Sequence, residues 1–154
     1  MKRLALVLVA LGAACGGSDD SSGQADVGPI TIGEVWARAT VDAAATGAVY
    51  VELTADADDA LVGAAVAADI AEGVTLHETV TDHSGHDDDS AMVMMSSIDR
   101  LDLPPGELVT LEPGGAHLML VELAQPLRVG ASFELMLQFD VAPDVSVQVT
   151  VRDG

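Results

Sequence analysis

From Pro29 onward, short runs rich in apolar and β-favouring residues alternate with polar turn clusters. The runs are ITIGEVWARA (30–39), GAVYVELT (47–54), ALVGAAVA (60–67), VTLHETV (74–80) and MVMMSSI (92–98). They continue as ELVTLE (107–112), HLMLVEL (117–123), ASFELMLQF (131–139) and VSVQVTV (145–151). Between them lie DADD, AEG, PPG, EPGG, QPLRVG and APD, whose Gly, Pro and Asp residues favour turns. Many short strands at fairly regular spacing predict an all-β, antiparallel sandwich or barrel. AAVAADIAE offers a helical turn as the alternative in its stretch. With two Phe, one Tyr and one Trp, Val, Leu and Ala must fill the core.

TDHSGHDDDS (81–90) breaks the rhythm, because it contains no apolar residue. It predicts a solvated loop between the strands that carry His77 and Met95. HLMLVEL raises a different question. Side chains two apart on a strand point the same way, so His117 and Met119 aim an imidazole and a thioether in one direction.

The N-terminus has its own pattern. MKRLALVLVALGAAC opens with Lys2 and Arg3, continues with an apolar run from Leu4 to Leu11, and reaches Cys15 through small residues. This is signal-peptide architecture, too short for a spanning helix. The cysteine after small residues resembles a bacterial lipobox, with Gly12 where a larger aliphatic residue is usual. That resemblance implies cleavage before Cys15 and lipidation of its thiol. The expected organisation is a lipoprotein signal at 1–15, a flexible polar tether at 16–28 and a β-sandwich domain at 29–154. Such a protein is extracytoplasmic, in the periplasm or at the cell surface, and held to the membrane by its lipid anchor. Cys15 is the one cysteine of 154 residues, so no intrachain disulfide forms. The formal charge of −19, from 25 acidic and 6 basic residues, repels phosphate backbones and excludes nucleic-acid binding. It tolerates cations, metal ions among them.

The candidate chemistry is concentrated in one region. All four histidines, His77, His83, His86 and His117, fall between positions 77 and 117. Met92, Met94, Met95 and Met119 share that region, while Met136 lies in an otherwise apolar strand and reads as core filler. Imidazole with thioether suits Cu(I), a soft ion. A blue-copper electron carrier needs a Cys thiolate with two His, and the domain beyond Cys15 has none. G-x-S-x-G, H-E-x-x-H and a Gly-rich phosphate loop are missing from the sequence, so an enzyme is not expected. His83 and His86, beside Asp82, Asp87, Asp88 and Asp89, form a harder donor set. They are a possible second site for Cu(II) or Zn(II).

TLHE, then MVMMSSID, then LPPGELVTLEPGGAHLMLVEL resembles the PCu(A)C family of periplasmic copper chaperones. That family carries a His, a downstream Met, and a closing His-x-Met after a Pro-Gly-Gly turn. The resemblance spans roughly residues 30 to 151. Between Met95 and His117 lie 21 residues, the family's usual separation, which selects Met95 over Met92 and Met94. The resemblance implies a cupredoxin-like antiparallel Greek-key β-sandwich with an exposed Cu(I) site at His77, Met95, His117 and Met119. Loop-exposed ligands would let a partner enter the shell. It further implies delivery of copper to the dinuclear copper centre of cytochrome c oxidase, with the oxidase's copper-site subunit or another copper chaperone as partner. Two departures are visible: Thr79 stands where a second Met is common, and 17 residues separate His77 from Met95, more than usual. The alternatives are a general copper storage or resistance lipoprotein that also takes Zn or Cu(II), or a metal-free β-sandwich binding module.

Overall fold

β10 (Ser132–Phe139) and β11 (Val145–Arg152) show most directly how this sequence makes a sheet. Phe133, Leu135, Leu137 and Phe139 are buried on one face, as are Val145, Val147, Val149 and Val151. Glu134, Ser146, Gln148 and Thr150 take the solvent face. The register sets Leu135 opposite Val147 and Phe133 opposite Val149, so the two apolar rows coincide. Each such side chain contributes about 1.5–3 kcal/mol by leaving water. Met136 follows the same period. It lies on the outer face, 41% exposed, and is not core filler: even positions of this strand face solvent whatever their hydropathy.

The computed structural model describes the backbone of residues 25–27, 29–82 and 92–154, and the side chains of 29–80 and 94–154. The earlier strands are β1 (Ala25–Val27), β2 (Ile30–Arg38), β3 (Thr46–Ala55), β4 (Asp59–Val66) and β5 (Ala71–Asp82). β6 (Met92–Ser97), β7 (Leu101–Leu103), β8 (Leu108–Thr110) and β9 (His117–Leu123) follow. Among the described residues they join in the order β6-β5-β9-β3-β2-β11-β10-β4-β7, with β1 on β2 and β8 on β3. Pairing is antiparallel except between β2 and β11, which run parallel. The fold is a cupredoxin-like β-sandwich, and its core is aliphatic, led by Ile30, Ile32, Leu53, Leu118, Leu120 and Leu135. β1 pairs antiparallel with Ile30–Ile32, so strand structure begins inside the segment expected to be tether. AAVAADIAE ends β4 and closes a single turn, with Ile70 N donating to the Ala67 carbonyl at 2.9 Å.

One buried carboxylate ties the far end together. Asp59, 8% exposed, accepts from the backbone N–H groups of Ala60 at 2.7 Å and of Val141 and Ala142 at 2.9 Å each. Burial is the largest single influence on its carboxyl and pushes the pKa up. The backbone donors together outweigh burial and hold it below the ordinary 3.8. The start of β4 is thereby fixed to the β10–β11 turn.

Candidate metal centre

Strand pairing, rather than sequence proximity, assembles the candidate site. β5 lies between β6 and β9, and β9 lies between β5 and β3. Leu76 of β5 and Leu118 of β9 pair directly and are buried in the core. Their neighbours on the opposite face are therefore His77 and His117, which also pair directly. The two rings sit with centroids 5.8 Å apart and planes 28° apart. Met119 follows on the same face, between Thr75 of β5 and Ala48 of β3.

The β5–β6 register separates Met95 from Met94 by face. Met95 pairs with Thr79, two residues from His77, and so shares the histidine face. Met94 pairs with Val80, which places it on the other face. Met95 is a diagonal neighbour of His77, a relation that sets the two residues about 7–8 Å apart, their Cβ atoms somewhat closer, and within reach of long side chains. The longer segment between β5 and β6 therefore does not remove Met95 from the row.

Burial falls from one side of the group to the other. His117 is 5% exposed, His77 and Met119 are half-buried, and Met95 on the edge strand β6 is 63% exposed. The expectation of loop-exposed ligands is corrected here: all four residues lie on strands, and exposure comes from the sheet edge. An open depression of about 440 Å³ runs over the group, lined by Met95, Thr79, His117, Met119, Tyr50 and Arg38 among others. His77 does not line it; of the two rings, His117 faces the opening.

Hydrogen bonds hold the rings. The Gly115 carbonyl accepts from His117 Nδ1 at 3.1 Å, from Thr79 Oγ1 at 3.2 Å and from Thr79 N at 3.3 Å. Gly115 can present that carbonyl because the turn before β9 reverses through Gly114, whose φ of 85° lies in the left-handed region that glycine enters freely. Thr79, in the place of a second Met, thus anchors this turn. Nε2 of His77 lies 3.0 Å from Thr75 Oγ1, and its buried Nδ1 has no partner among the described residues. Behind Tyr50, Trp36 packs at 4.5 Å, with the Arg152 guanidinium 4.1 Å over its ring. Arg152 grips Glu34 with two bonds of 2.6 and 2.9 Å. The bond to Arg152 holds the Glu34 carboxyl below its ordinary range.

Thr75, Gly115 and Tyr50 are the contributors that the sequence reading missed. The first two carry a signal: Thr-x-His and Gly-x-His put each two residues before a histidine, on its own face. Among the described residues no group of three His, Cys, Asp or Glu could hold a metal, so a centre built from them alone would need thioether donors beside the two imidazoles. His83, His86 and Cys15 lie outside the described residues.

Solved structures share this architecture. The copper-bound PCuAC domain from PmoF2 is 28% identical and superposes with a TM-score of 0.66 over 85% of this chain and 98% of that one. The solution structure of CuI-DR1885 from Deinococcus radiodurans is 30% identical, with a TM-score of 0.59 over 78% of this chain and 76% of that one. Lxx21020 of Leifsonia xyli subsp. xyli, which its name describes as a lipoprotein, is 29% identical over 124 residues, 80% of this chain and 70% of its own length. The family model for lipoprotein LpqE-like matches residues 30–151. That match runs from the first residue of β2 to within one residue of the end of β11 and includes each strand that carries the two paired histidines: the chain belongs to the LpqE-like lipoprotein family, built on the PCuAC fold.

Proposed function

We propose that this protein is an extracytoplasmic Cu(I) metallochaperone, anchored by a lipid on Cys15, that takes copper as cargo on His77, Met95, His117 and Met119. The observation that carries the reading is the direct pairing of His77 with His117 on the sheet face that also holds Met119 and Met95. Two imidazoles and two thioethers are a soft, neutral donor set, which favours the monovalent ion over harder divalent ones. Copper in the PmoF2 domain and Cu(I) in the DR1885 structure, on the same fold, support it. The lipoprotein description of the family and of the Leifsonia protein supports anchoring outside the cytoplasm. The proposed acceptor is the dinuclear copper centre of cytochrome c oxidase.

Anaerobic Cu(I) titration against a competing chelator, with X-ray absorption on the product, tests the site. One equivalent with mixed nitrogen and sulfur scattering is expected. Wild-type affinity in a His117→Ala, Met119→Ala double variant would overturn the assignment. Mixing the loaded protein with the oxidase's apo copper subunit tests delivery. Formation of the dinuclear centre is expected, and retention of copper by the donor would remove the oxidase from the proposal.

A further inference from the structure

We infer that the two histidines present opposite ring nitrogens to the metal, Nδ1 from His77 and Nε2 from His117, and that Thr75 is the positioning residue that selects Nδ1. The inference rests on the Cu(I) reading above for its metal and on hydrogen-bond geometry for its nitrogens.

His117 is fixed by the chemistry of its partner. Its Nδ1 lies 3.1 Å from the Gly115 carbonyl, and a carbonyl only accepts. Nδ1 therefore carries the proton of the neutral ring, and Nε2 keeps a bare lone pair. His77 is turned the other way. Its Nε2 shares a 3.0 Å bond with Thr75 Oγ1, while Nδ1 is buried without a partner among the described residues. A threonine hydroxyl both donates and accepts, so two tautomers fit that bond. If Nδ1 held the proton, a buried N–H would lack an acceptor, and buried N–H groups are the ones that folded proteins least often leave unpaired. With the proton on Nε2, the unmatched group is a lone pair, and a lone pair is what a cation takes.

Both rings then follow the usual arrangement of metal-bound histidine, in which the non-ligating nitrogen donates to a fixed oxygen. For His117 that oxygen is the Gly115 carbonyl, held by the turn into β9. For His77 it is Thr75 Oγ1, held by strand alternation two residues away and facing Met119 across the β5–β9 pair. Nδ1 lies closer to the backbone than Nε2 in any histidine. The metal therefore sits close to the sheet at His77 and farther from it at His117.

The test is long-range proton–nitrogen NMR on 15N-histidine protein at mildly alkaline pH, before and after anaerobic Cu(I) addition. Before metal, His77 should show a protonated Nε2 and a bare Nδ1, with the reverse for His117. Copper should move the signals of His77 Nδ1 and His117 Nε2. Thr75→Val should mix the His77 tautomers and weaken Cu(I) binding about tenfold, with the thermal midpoint as the folding control, and Thr75→Ser should restore both. A copper-induced shift at His77 Nε2, or a Thr75→Val protein that binds as tightly or more tightly, would overturn the inference, because a metal on Nε2 has to break the Thr75 bond. Expected tautomers in the metal-free protein with no copper shift on either ring would instead overturn the copper reading and the metal assignment with it, and leave the ring-proton assignment standing.

Discussion

Replacing Met95 and Met94 one at a time by leucine separates the sheet-face argument from simple methionine richness. The two are adjacent, and both are well exposed, at 63% and 53%. Leucine conserves apolar volume, and exposed substitutions of this kind stay within about 0.5 kcal/mol of stability. Any large difference between the variants therefore reports on sulfur. Met95 pairs with Thr79 and shares the face of His77, whereas Met94 pairs with Val80 and leaves the sheet on the other side. Loss of a hydrogen-bonding partner behind a metal ligand already costs about 10–100-fold in affinity. Loss of a ligand itself should cost at least about tenfold, or about 1.4 kcal/mol. Met95→Leu is expected to weaken Cu(I) binding by that amount or more, and Met94→Leu by less than a factor of about two. Competition titration under anaerobic conditions measures both, with one chelator and one protein concentration. Equal losses in the two variants, or a larger loss for Met94→Leu, would refute the face assignment, since no register of β5 and β6 puts adjacent residues on one face.

Asp59→Asn should lower stability by about 2 kcal/mol, the range for a hydrogen bond to a charged group, read as a shift in the urea midpoint; an unchanged midpoint would remove Asp59 as a tie. Because the folded carboxyl lies below its ordinary 3.8, the unfolded chain binds the proton more readily. The stabilisation is thus complete above the unfolded value and is lost as pH falls through the lower, folded one. The wild type should lose stability across that acid window more steeply than Asp59→Asn. Labelled palmitate should enter the wild type and not Cys15→Ser; equal incorporation in both, or none in either, points to a freely secreted protein. Cu(II) titration of the wild type against a His83→Ala, His86→Ala variant tests the second site: loss of one Cu(II) equivalent with Cu(I) binding intact supports it, and identical isotherms leave residues 81–90 without a metal role.

Strands are legible in this sequence where an apolar run is long enough to meet a turn signal at each end. HLMLVEL is found to the residue, because EPGG precedes it and its apolar residues continue to Leu123. Leu101–Leu103 is missed, since three residues before Pro104 cannot display a period. Within the site, alternation alone puts His117 and Met119 on one face. It says nothing about His77, because the His77–His117 pair depends on the register of two strands 40 positions apart in sequence. The choice of Met95 shows the same limit. Spacing within the resemblance points to it, but its place on the histidine face follows from pairing with Thr79, which exists only once β6 is laid against β5. Met136 fails in the opposite way: its hydropathy suggests core, and its parity puts it outside.

The gradient of burial gives the proposed chaperone a mechanism of exchange. A chaperone has to hold its cargo against loss and still surrender it on contact. His117, buried and tied to the Gly115 carbonyl, has little freedom to leave a metal. Met95 stands exposed on the edge strand, on a side chain with several rotatable bonds. The donor easiest to displace is therefore the one that an approaching protein meets first. An acceptor that supplies its own ligand at the Met95 position can bind the ion while two imidazoles still hold it. On the proposed reading copper would pass through a shared complex, without a step in which it is free in water. The acceptor's affinity would then set the direction of transfer, and the readiness of Met95 to give way its rate. A bulkier or more buried thioether at that position would slow delivery without strengthening the histidine side of the site.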